Sequence, residues 1–156
     1  MLWCSKKYVK SFEDIIHHLD LKKKLQNCKY DTLINTLFYG VKGCGKKTIV
    51  KAYVNNLITS YFNVKLEDIH EINKEIKCKT SKKKEIFHYS KTKYYYIIDM
   101  IKLGKKRNHF FDEFLGYIIQ SKNMFNLPFN LIIIQNFDIF DDKLIARFKR
   151  YSEKYY

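Results

Sequence analysis

Proline occurs once in 156 residues and glycine only five times, three of them within Gly40–Gly45. With no Pro/Gly-rich linker and no internal repeat, the chain reads as a single domain. The four cysteines, Cys4, Cys28, Cys44 and Cys78, form no C-x-x-C pair and no Cys/His cluster with zinc spacing. Met1 to Lys10 has no apolar signal core, and no apolar stretch approaches the length of a membrane span. These absences predict a non-secreted, non-membrane, intracellular protein with reduced thiols. Arginine is scarce as well: Arg107, Arg147 and Arg150 stand among 30 basic residues.

Apolar residues make up 46% of the chain and are well spread, which predicts a globular fold with a real core. The formal net charge is +14. That excess fits a nucleic-acid or acidic-membrane partner. It fits equally the lysine-, isoleucine- and asparagine-rich usage of an AT-rich genome, and both readings stand.

Along the chain, Ser11 with Asp14 reads as a capping box. Phe12, Ile15, Ile16 and Leu19 follow at helical spacing, predicting a helix to about Lys24. Thr32 to Tyr39 reads as a buried strand, and Lys46 to Tyr61 as a helix facing inward through Ile49, Ala52, Tyr53, Leu57 and Tyr61. Leu66 to Ile72 reads as a second strand, and the lysine-rich Lys74 to Lys84 as an exposed loop. Glu85–Ser90 and Lys93–Ile98, rich in aromatic and β-branched residues, predict a hairpin. Phe110 to Ile119 reads as an amphipathic helix, Leu131 to Ile134 as a central parallel strand and Asp141 to Ser152 as a helix.

Between the first strand and its helix lies Gly40-Val41-Lys42-Gly43-Cys44-Gly45-Lys46-Lys47-Thr48. It fits the G-x-x-x-x-G-K phosphate loop. Its glycines let successive backbone N–H groups turn inward, the helix adds its positive end, and Lys46 would reach the phosphates. The next residue should be Ser or Thr, whose hydroxyl ligates Mg²⁺. Here it is Lys47. Thr48 comes one residue late, about 100° further round the helix.

In such NTPases a second apolar strand ends in carboxylates that hold the metal and polarise the attacking water. The run Leu131–Ile134 ends instead in Gln135 and Asn136, and Asp138 lies too far along, where it reads as a turn cap. Phosphate-holding residues persist while metal and water-activating ones are replaced. That pattern predicts nucleotide binding, ATP with Mg²⁺ in doubt, and little or no hydrolysis. No catalytic residue and no protein metal ligand is assigned.

Leu37-Phe38-Tyr39-Gly40 and the Gly45-Lys46-Lys47-Thr48 string resemble the replication factor C small subunits, the clamp-loader branch of the AAA+ family. The Lys-Lys version is most similar to subunit 3 in human naming, subunit 5 in yeast naming. Trp3, Lys7-Tyr8, Phe12 and Ile15 are similar to that family's W-x-x-K-Y-x-P start, with one residue inserted and the proline absent. Thr80 to Lys84 with the hairpin resembles its insertion, and Arg147 to Tyr155 its helix after the second motif.

The resemblance implies an α/β P-loop domain of AAA+ type, a parallel sheet flanked by helices with a β-hairpin insertion. On that resemblance, residues 1–156 are expected to be the domain truncated after the second motif, without lid and collar and with an open strand edge that invites pairing or aggregation. It implies nucleotide contact by Tyr8 as well as the loop, clamp contact by Phe110, Phe111, Phe114 and Leu115, and DNA contact by Lys105, Lys106 and Arg107. Core packing and a solvated basic loop explain the last two groups equally well. The implied partners are other clamp-loader subunits, a sliding clamp and primed DNA, in a nuclear or nucleus-like replication compartment. Three alternatives stay open: an active small NTPase, a basic DNA-binding or scaffold protein that keeps the fold without nucleotide, and a degenerate remnant without function.

Overall fold

The computed structural model describes residues 11–79, 84–104, 113, 115–120, 130–139 and 142–154. The chain divides into two units, Met1–Ile69 and His70–Tyr156.

In the first unit the capping box forms. The Ser11 N–H donates to Asp14 Oδ2 at 2.9 Å and the Asp14 N–H to Ser11 Oγ at 3.3 Å. The helix expected to follow does not: helix α1 is confined to Leu19–Gln26. Phe12 and Ile15 are buried whereas Ile16 and Leu19 are exposed, so the apolar residues do not share one face. Lys22 Nζ donates to the Glu13 and Ile15 carbonyls at 3.0 and 3.4 Å, closing a folded-back turn where helical turns were expected.

Thr32–Tyr39 is not a strand either. Ile34, Leu37 and Tyr39 are exposed, Tyr39 to 89%. A strand exists only where a neighbour completes its ladder, and among the described residues no segment pairs with this one. Helix α2, Lys46–Phe62, matches expectation. It buries Ile49, Ala52, Tyr53 and Leu57, joined by Val54, Asn55 and Ile58, whereas Tyr61, expected to face inward, is exposed. It ends at Asn63, whose φ of 51° is the left-handed C-cap that asparagine tolerates. Near that end Tyr30 stacks on Tyr61, ring centroids 4.7 Å apart. A short 3₁₀ turn, Leu66–Asp68, takes the place of the strand expected over Leu66–Ile72.

The second unit is built on a four-stranded sheet in the order β1-β2-β3-β4. Its strands are β1 Ile72–Lys79, β2 Lys84–Lys91, β3 Tyr95–Asp99 and β4 Leu131–Gln135. Most of the expected lysine-rich loop is therefore β1. Its lysines hide an alternation: Ile76 stands opposite Phe87, which is fully buried, while Glu75 stands opposite His88 on the other face, 3.1 Å from it. The expected hairpin forms between β2 and β3. Its turn is closed by Thr92, whose Oγ1 accepts the N–H groups of Tyr94 and Tyr95 at 3.1 and 3.0 Å.

The sheet is mixed rather than parallel. β1–β2 and β2–β3 are antiparallel, and β3–β4 alone is parallel, from Tyr95↔Leu131 to Asp99↔Gln135. β4 ends the strand order and is half-buried along its length, not central as expected. The β3-to-β4 crossover contains α3, Met100–Leu103, and α4, Gly116–Gln120. The expected C-terminal helix is α5, Asp142–Lys154. Ile98, Met100, Ile118 and Leu144 pack into one core with Phe87. Full burial of an Ile or Phe side chain is worth roughly 1.5–3 kcal/mol.

Candidate functional site

The glycine loop joins the non-strand segment Thr32–Tyr39 to α2. Gly43 and Gly45 hold φ of 86° and 82°, the left-handed region that glycine enters at least cost. A Cβ on Gly40 would lie 3.3 Å from Cys44 Sγ, so the loop closes tightly at that point. Gly45 is the N-cap of α2 and supplies no side-chain cap. The helix therefore begins with backbone N–H groups and dipole directed at the loop.

Lys46 lies over this loop. Its Nζ donates to the Gly40 carbonyl at 2.8 Å and the Val41 carbonyl at 2.7 Å, and lies 3.7 Å from Cys44 Sγ. The backbone closes the same turn, with Cys44 N–H donating to the Val41 carbonyl at 3.4 Å and Ile49 N–H to the Gly45 carbonyl at 3.0 Å. Val41, Lys42, Lys47 and Thr48 are exposed. The structure thus brings Gly40 to Thr48 together as one accessible, positively charged turn, with the lysine ammonium held by carbonyls it can exchange for other acceptors.

Gln135 closes β4 beside Asp99, which closes β3. Asn136 follows β4 in the left-handed region, φ 57°. Its Nδ2 donates to Asp99 Oδ1 at 2.6 Å, and the same oxygen accepts the Ile101 N–H at 3.1 Å. Asn136 therefore ties two strand ends together, as a donor. Asp138 lies exposed in the 3₁₀ turn Phe137–Ile139. Asp99 is the residue that sequence reasoning missed. The available signal was an apolar run, Tyr95 to Ile98, closing on a carboxylate.

Leu115 is buried and belongs to the core of the second unit. Tyr8, Phe110, Phe111, Phe114, Lys105, Lys106 and Arg107 lie outside the described residues. Cys28 and Cys44 are free thiols. Among the described residues no group of three or more His, Cys, Asp or Glu could hold a metal ion, and no helix is long and apolar enough to cross a membrane. No family model matches the chain, and no curated protein matches it.

Proposed function

We propose that the chain is the nucleotide-binding domain of a clamp-loader subunit of the replication factor C type, binding ATP and turning it over little or not at all. The observation that carries this reading is the Gly40–Thr48 turn. Left-handed glycines lead into an uncapped helix start, with the Lys46 ammonium held on loop carbonyls. Backbone N–H groups of the loop and Lys46 would hold the phosphates. The parallel β3–β4 pair joined by a helical crossover supports reading β4 as the second-motif strand. Neither Gln135 nor Asn136 can take a proton from water, so the nucleotide acts as an ordering ligand rather than a fuel. The partners on this reading are other clamp-loader subunits, a sliding clamp and primed DNA, in a nuclear or nucleus-like compartment.

Two measurements test it. Mass spectrometry of proteins co-purifying with the tagged chain from its own cells should recover clamp-loader subunits. Titration with a fluorescent ATP analogue should show saturable binding that Lys46→Ala weakens at least tenfold, with no phosphate release. Nucleotide-independent DNA binding with a steep salt dependence would instead favour a basic scaffold.

A further inference from the structure

We infer that the Gly40–Thr48 loop takes its nucleotide without a divalent metal, and that Lys47 supplies the positive charge a magnesium ion would otherwise bring. This rests on the nucleotide reading of the loop.

The donor set is what decides it. A phosphate-loop magnesium ion needs a hydroxyl directly after the loop lysine and a carboxylate at the end of the second apolar strand. The first position holds Lys47, exposed on the opening turn of α2. An ammonium has three donors and no lone pair, so it repels a cation rather than ligating one. At the second position the sequence has the neutral amides Gln135 and Asn136 in place of a carboxylate.

The charge around the loop points the same way. From Thr32 to Leu66 the chain contains no Asp or Glu, while Lys42, Lys46 and Lys47 lie in the loop and on the first turn of α2. The first turn of α2 likewise carries no acidic residue. A divalent cation approaching this segment meets lysine ammonium groups and the partial positive end of a helix, with no carboxylate from the same stretch to offset them. A bare triphosphate meets the opposite. Metal-free ATP carries two more negative charges than its magnesium complex, so the lysines match the uncomplexed ligand better.

The full chain would be titrated with a fluorescent ATP analogue in buffer containing magnesium chloride and in buffer containing EDTA. The expected result is binding in EDTA equal to, or tighter than, binding in magnesium. Lys47→Ser returns a hydroxyl to the metal position and removes the ammonium. It is expected to weaken binding in EDTA about tenfold, and a thermal melt of the nucleotide-free protein separates that loss from a loss of fold. Lys47→Arg keeps the charge and should retain more of the binding in EDTA than Lys47→Ser does. A tenfold or greater loss of affinity on chelation, with binding intact in magnesium, overturns this inference and leaves nucleotide binding standing. Absence of binding in both buffers, unaltered by Lys46→Ala, overturns both.

Discussion

The Asn136 side-chain amide donates to the Asp99 carboxylate across 2.6 Å, joining the ends of two parallel strands. The residue that follows the second apolar strand is thus a structural tie. Its donor chemistry is the reverse of what a water-activating position requires, and the left-handed backbone at Asn136 is one that asparagine tolerates better than most residues.

Asn136→Asp should therefore destabilise the second unit instead of restoring catalysis. Two carboxylates would face each other where one donor–acceptor pair now stands, raising the pKa of one of them. The expected loss is about 1–3 kcal/mol near neutral pH, shrinking at ~pH 4 as that group takes up a proton. Urea unfolding at the two pH values reads this out. An equal loss at both would mean that the hydrogen bond does not set the cost.

At the glycine loop, Gly43→Ala and Gly45→Ala should each cost about 1–2 kcal/mol through backbone strain, since no atom stands within 4 Å of either added Cβ. Gly40→Ala adds a 3.3 Å contact with Cys44 Sγ. Cys44→Ala should relieve part of that cost, so the pair is expected to be non-additive in a double-mutant cycle read by denaturant melts.

Alkaline titration should find the buried tyrosines last. Burial, with a smaller contribution from Tyr61, pushes the Tyr30 phenol up to about 12. Burial and the Cys28 hydrogen bond raise Tyr53 further still. The folded state holds these protons more tightly than the unfolded state does. Their contribution is therefore complete below pH ~10 and is lost as pH rises from there through the folded-state values, at about 1.4 kcal/mol per pH unit for each group. Ultraviolet difference spectra should show the Tyr30 and Tyr53 phenols ionising last, and Tyr30→Phe should flatten the loss of stability above pH ~10.

Much of what the chain encodes locally was legible. The glycine loop, helix α2 with Ile49, Ala52, Tyr53 and Leu57 inward, strand β4 and helix α5 all follow from short-range signals. These are φ freedom, 3.6-residue spacing and an apolar run. The hairpin at Thr92 was legible for the same reason, because a turn is specified by the residues that make it. What pairs with what was not legible. Thr32–Tyr39 has a strand's composition, yet among the described residues no strand lies beside it in the sheet. Ile72–Lys79 has a loop's composition, yet becomes a strand because β2 lies beside it in register and buries Phe87 opposite Ile76. The Asp99–Asn136 contact joins positions far apart in sequence, so no window along the chain could expose it. The sequence alone determined the chemistry of the loop, lysines without carboxylates. Only the tertiary structure decided which apolar segments became strands, because a strand's hydrogen bonds belong to its neighbour as much as to itself.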